Sequence, residues 1–220
     1  MNAPILAIDV VSDLVCPWCY VGKRKLEMAL ALPEAARLPK VVIHWHPFQL
    51  NPDLAPQGVP RRQYLEDKFG GPQRAAEIYQ RVRAAGLAVG LALNIDGITL
   101  QPNTLAAHAL LAFAQLGDAD GNDVKERLLK AYFIENRFIG STGVLTDIAE
   151  EAGLNSAAAH AFINDPDQLA AVAAADANIR SRGVTGVPFF IFNQKVAVSG
   201  AQDAATLLAA MQQAAEAKLG

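Results

Sequence analysis

The sequence predicts an α/β domain interrupted by a long helical block, and three observations carry that expectation. Strand-like runs rich in β-branched and aromatic residues stand near both ends, at "ILAIDVV" (5–11) and "VPFFIF" (187–192). The stretch between them is patterned for helices, with caps and stops at regular intervals. The chain's two cysteines, Cys16 and Cys19, fall where the first strand gives way to the first helix. Strands at both ends with helices between them indicate one sheet completed by both ends of the chain.

Taken in order, "ILAIDVV" reads as a buried strand. "YVGKRKLEMALAL" follows the cysteines with Gly22, Leu26, Ala29 and Leu30 at helical spacing, and Pro33 ends it. "KVVIHWHPF" (40–48), bounded by Pro39 and the turn residues "NPD", is a second strand. Helical segments are expected at 60–86, 103–116, 121–138 and 142–152. Asn103 and Ser141 or Thr142 are expected caps, and Gly153 a stop. "DPDQ" (165–168) opens a further helix with an Asp cap and a proline in the first turn, running to Arg182 and stopping at Gly183. "VPFFIF", the turn "NQ" and "KVAVS" (195–199) form a hairpin. "DAATLLAAMQQAAEAKLG" closes the chain as an amphipathic helix with Leu207, Leu208, Met211 and Ala215 on one face.

Composition narrows the function. Hydrophobic residues make up 52% and charged ones 19%, with a net charge of −3 and no long basic run. That argues for a globular fold and against a nucleic-acid partner. No window approaches the roughly 20 apolar residues a membrane span needs. The start "MNAPILAIDVVSD" lacks a basic region and carries Asp9 and Asp13, so it does not read as a secretory signal. The expected address is cytoplasmic.

Three roles compete for "CPWC": a structural staple, half of a zinc site, or a redox pair. A staple is disfavoured in a reducing compartment, and its loop is too short to restrain the chain. Zinc would need His44 and His46 of "HWH", which share a strand face but lack the usual ligand spacing. His44, His46, His108 and His160 are expected to be hydrogen-bonded or solvent-facing, and no metal is expected. The redox reading has a physical basis. Cys16 at a helix mouth would meet unpaired amides and the positive end of the helix dipole, which favour the thiolate. Pro17 suits the first turn, and Cys19, one turn deeper, is placed to attack a mixed disulfide. Trp18 either shapes an entrance for an apolar or peptide-like partner or covers the helix end. No glycine pattern for a dinucleotide is present, so no bound cofactor is expected beyond the Cys16–Cys19 disulfide itself.

Four motifs, "SDLVCPWCYVGK" (12–23), "PFQLNP" (47–52), "NTLAAH" (103–108) and "VPFFIFNQKVAVSGAQ" (187–202), resemble the DsbA-like branch of the thioredoxin superfamily, and within it the FrnE-like group. The resemblance implies a thioredoxin-like fold with a large all-helical insertion. Residues 1–58 and 165–220 would form the thioredoxin-like domain and 59–164 the insertion. It implies thiol–disulfide oxidoreductase activity on a disulfide-containing protein or a small-molecule thiol, with Cys16 attacking and Cys19 resolving. It further implies a cis proline at Pro188, with Val187 presenting its backbone to substrate. The same branch holds 2-hydroxychromene-2-carboxylate isomerases and kappa-class glutathione transferases, which generally carry serine at the position of Cys16. A glutathione-dependent isomerase or transferase is therefore the alternative, and glutathione is an expected co-substrate. Relatives hold its γ-glutamyl end with residues that align with Ala201 and Gln202, although the expected Asp is Gln202 here. Some relatives pair as homodimers, and the sequence is compatible with either state. Asp9 would either exchange a proton with Cys19 or face water beside the strand end, the second being favoured.

Overall fold

In the computed structural model, residues 5–117 and 120–216 are described; residues 217–220 of the expected closing helix lie outside them. Strand β1 (Ile5–Ser12) feeds helix α1 (Pro17–Leu30), which returns the chain to β2 (Lys40–Pro47). A parallel partner requires such a crossover, and β2 pairs parallel to β1 from Ile5↔Lys40 to Ser12↔Pro47. The chain comes back to this sheet after residue 164, through α8 (Pro166–Ser181) into β5 (Phe189–Phe192), β6 (Val196–Ser199) and α9 (Ala204–Glu216). The four-stranded order is β2-β1-β5-β6, with β5 antiparallel to β1 and β6 antiparallel to β5.

Antiparallel pairing at Val11↔Phe189 puts the start of β5 beside the end of β1. The residues just before β5 and just after β1 must therefore share one edge of the sheet. Leu6, Ile8, Val10, Phe190 and Phe192 fill the core below that edge, packed with Leu26 and Ala29 of α1 and Leu207 and Met211 of α9. Each fully buried side chain of this size contributes roughly 1.5–3 kcal/mol by removing apolar surface from water.

Two features of the hairpin and its approach follow from local chemistry. Asn193 and Gln194 both take positive φ (49° and 57°), the backbone a tight two-residue turn demands. Asn193 earns its place there because its side chain accepts from the Ala7 amide (2.9 Å) and donates to the Ala214 carbonyl (3.2 Å). Asp165 caps α8 as expected, accepting from the Asp167 amide (2.8 Å), with Pro166 in the first turn and Gly183 at φ 89° past the end. Asp165→Ala is expected to cost about 1 kcal/mol, read as a shift in the urea midpoint at unchanged slope.

The stretch from 59 to 164 holds α2 (Arg61–Phe69), α3 (Pro72–Leu87), α4 (Leu105–Leu116), α5 (Gly121–Phe133), α6 (Thr142–Glu151) and α7 (Ser156–Asn164). It is helical apart from a short ribbon in which β3 (Val59–Pro60) pairs with β4 (Leu100–Gln101). The single helix expected over 60–86 is two, because Gly70 and Gly71 adopt φ 78° and 116°, a backbone that ends α2 and re-aims the chain. Asn103 serves the start of α4 from one residue before the cap position, which Thr104 occupies, and accepts from the Leu105 amide at 2.9 Å. Ser141 occupies the cap position of α6 without a side-chain hydrogen bond. The helix expected over 121–138 stops at Phe133, and Asn136 turns the chain at φ 58°. No helix among the described residues is long and apolar enough to cross a membrane.

Candidate active site

The shared edge of β1 and β5 brings the cysteines and Pro188 together. Cys16 is the N-cap residue of α1, with extended backbone (φ −91°, ψ 111°) and Pro17 in the first turn. Its carbonyl accepts from the Cys19 amide at 3.0 Å, closing the first turn and bringing Cys19 back beneath it. The Val187–Pro188 peptide is cis, and the Cys16 thiol points at the Val187 carbonyl, 3.8 Å away. The Pro188 carbonyl accepts from the Gly200 amide (2.9 Å), which anchors this loop to the end of β6. Gly22 faces the same proline: a Cβ there would stand 2.9 Å from Pro188 Cγ and 3.3 Å from Phe190 Cζ.

Both sulfurs are buried, Cys16 at 5% exposure and Cys19 at 1%. Cys16 borders a pocket of about 230 Å³ whose walls include Trp18, Tyr64, Lys68, Phe69 and Tyr79. Trp18 is 39% exposed and forms part of this rim. Ala201 and Gln202 do not line the pocket. The Ala201 carbonyl accepts from Lys25 Nζ (2.7 Å), and the exposed Gln202 side chain folds back onto the Ser199 carbonyl (3.0 Å).

The charge of the pair is not distributed as the helix mouth alone suggests. Interaction with the neighbouring Cys19 sulfur, together with burial, pushes the Cys16 thiol well above its ordinary range. Burial also opposes ionisation of Cys19, but the Cys16 thiol, the charge of Lys125, the Asp13 amide and the Ser12 hydroxyl outweigh it and bring Cys19 down. Ionisation is therefore easier at the inner sulfur than at the outer one. Helix-mouth amides act on Cys16, but a second thiolate beside the first is opposed by like charge.

A carboxylate the sequence reading did not single out organises this edge. Asp13 is fully buried and accepts from the Leu14 and Leu50 amides (both 2.7 Å) and stands 3.2 Å from His108 Nε2. Burial works against its ionisation, yet the His108 hydrogen bond and charge, the Leu50 amide and Thr104 hold its pKa below 3.8. Gln49 in turn donates to Asn103 (3.1 Å), and Asn103 donates to the Leu54 carbonyl (2.7 Å). Three of the four quoted motifs are thus one hydrogen-bonded unit around Asp13, a convergence that their dispersal along the chain conceals. Asp9, by contrast, is partly exposed and pairs with His46 Nε2 at 2.8 Å, while His44 is exposed. Among the described residues no three His, Cys, Asp or Glu side chains are grouped to hold a metal.

A cysteine pair at a helix mouth facing a cis-prolyl edge, on this strand order, defines a thioredoxin-like domain. The chain belongs to the DSBA-like thioredoxin domain family, which matches residues 7–212. Among solved structures it is similar to the probable DsbA oxidoreductase SCO1869 from Streptomyces coelicolor, at 29% identity and TM-score 0.87, covering 98% of this chain and 92% of that one. An uncharacterized protein of Bacillus subtilis (strain 168), YwbO, is 31% identical over 150 residues, 68% of each chain. The fold alone is shared with the cytosolic disulfide reductase DsbM from Pseudomonas aeruginosa solved with GSH, at 18% identity and TM-score 0.63, covering 94% of this chain and 95% of that one. It is likewise shared with a 2-hydroxychromene-2-carboxylate isomerase, at 13% identity and TM-score 0.68, covering 94% and 95%.

Proposed function

We propose that this chain catalyses thiol–disulfide exchange, with Cys16 as the attacking sulfur, Cys19 as the resolving one, and Val187 and Pro188 as the edge that aligns substrate. The observation that carries this reading is the position of the Cys16 sulfur: at the helix mouth, on the wall of the pocket and 3.8 Å from the Val187 carbonyl. Cys16 gives up its proton to solvent and attacks a substrate disulfide R–S–S–R′. A Cys16–S–S–R bond forms and R′–S⁻ leaves with the electron pair of the broken bond. Cys19 then loses its proton to solvent and attacks the Cys16 sulfur; the Cys16–S–R bond breaks, the internal disulfide forms, and R–S⁻ leaves with the electron pair. Electrons move from the cysteine pair to the substrate; the reverse sequence oxidises a dithiol.

The pocket supports recognition of an apolar or aromatic side chain beside the cystine, since Trp18, Phe69 and Tyr79 supply flat apolar walls. Val187 offers a backbone carbonyl beside Cys16 for an extended peptide to pair with. Glutathione is a co-substrate in this reading, with Ala201 and Gln202 near its γ-glutamyl end. The cytoplasmic address and the FrnE-like assignment belong to it too, and the DsbM neighbour's description as a cytosolic reductase favours them.

The test is a trap. Cys19→Ala is expected to accumulate a single glutathionyl or peptidyl adduct on Cys16 when challenged with oxidised glutathione or insulin, read by intact mass. Absence of any adduct would end the proposal. Turnover of an aromatic electrophile that persists in Cys19→Ala would instead favour a glutathione-dependent transferase or isomerase.

A further inference from the structure

Lys125 lies in the middle of α5 and is fully buried. Its ammonium donates to Ser12 Oγ at 2.7 Å and stands 5.1 Å from the centre of the Trp45 ring. Among the described residues no carboxylate lies within 4.0 Å of it. The acidic groups nearby are engaged elsewhere. Asp13 is committed to His108 and two amides, and Glu126, the next residue on α5, binds Lys23, Arg24 and Tyr20. A buried cation without an anion is costly.

Ser12, whose hydroxyl receives the Lys125 bond, is itself buried at the end of the strand that leads into the cysteine turn, and both residues favour the charged form of Cys19. Ser12 ends β1, Cys19 sits one turn into α1, and α5 reaches both elements through the side chains of Lys125 and Glu126. We propose that Lys125, together with the Ser12 hydroxyl it binds, is a positioning residue that supplies the counter-charge for the thiolate Cys19 must form, and so sets the rate at which Cys19 resolves a mixed disulfide on Cys16. This rests on the exchange reading above. The step it serves is balanced: the Cys19 thiolate bonds to the Cys16 sulfur, the Cys16–S–R bond breaks, and R–S⁻ departs with the electron pair and takes a proton from water.

The charged and titratable groups around Lys125 are Cys16, Cys19 and Lys23 of α1 and Asp13 after β1, with His108 of α4 behind Asp13. Burial lowers the Lys125 pKa to about 8, and the two cysteines and Asp13 work in the opposite direction, so it remains mostly charged at neutral pH.

Ellman's disulfide separates the two steps, because attack by Cys16 releases one thionitrobenzoate and resolution by Cys19 releases the second. Stopped-flow absorbance on the full chain is expected to show the second release slowed about tenfold in Lys125→Met, its pH midpoint raised by about one unit, and the deficit recovered at high pH. Ser12→Ala is expected to move the midpoint the same way by a smaller amount, and it keeps the test intact if Lys125→Met does not fold. A merely structural role for Lys125 would not move that midpoint. Two equivalents released with an unshifted second phase in both variants would remove Lys125 and leave exchange standing. No release in Cys19→Ala would remove exchange and this inference together.

Discussion

Cys16→Ser will reduce disulfide exchange to the uncatalysed background, a loss on the order of 10³-fold or more. The argument is chemical rather than structural. A serine at this position keeps the cap of α1, and serine is among the preferred N-cap residues, so the fold should be retained or slightly stabilised. What disappears is the one sulfur that the described residues place on the pocket wall. Cys19, one turn deeper at 1% exposure, cannot take over the first attack because no substrate sulfur reaches it. Insulin reduction by turbidity and thermal unfolding, measured on the same preparation, check both halves of this expectation. Wild-type turnover in Cys16→Ser would place the nucleophile elsewhere.

The largest expected stability effect belongs to Asp13. Its carboxylate accepts from two backbone amides and pairs with His108 in a site with no solvent access. Asp13→Ala leaves those buried donors without an acceptor at about 1–3 kcal/mol each, for a loss of about 3–5 kcal/mol, roughly 6–20 °C in Tm for a chain of this size. The sign of its pH dependence follows from the lowered pKa. A carboxyl held below its unfolded value contributes stability in full above about 3.9, and loses it as pH falls through the folded value. The gap between wild type and Asp13→Ala in urea unfolding should therefore be widest at neutral pH and close on acidification below about pH 3.9. A gap that stays constant down to pH 3 would mean that Asp13 acts through packing alone.

Much of this was legible in residues whose effects are local. The cap at Asp165, the tight turn at Asn193 and Gln194, and the end of β1 before Cys16 all follow from what each residue does to its own few neighbours. The break at Gly70 and Gly71 was equally local, but residues that favour helix stand on both sides of it. The electrostatics of the pair were not legible, for a different reason. Lys125 sits in "DVKER", a run that reads as a solvated helix face, and only the packing of α5 across β1 and α1 turns it inward. Strand alternation could not decide between Asp9 and Asp13 as the buried acid. Asp9 lies inside the strand yet meets His46 at the surface, whereas Asp13 lies past the strand end and is sealed by the loops that carry Leu50 and by α4.

At Gly22 the absence of one methyl group lets α1 and the prolyl loop lie in direct contact. The clearance between the outer sulfur and the opposing carbonyl is thus a dimension built into the scaffold, set by an atom that was never there and out of reach of any bound molecule. Redesign of the pocket rim would change which substrates are preferred and leave that clearance alone. A wider side chain at position 22 would alter it for every substrate alike.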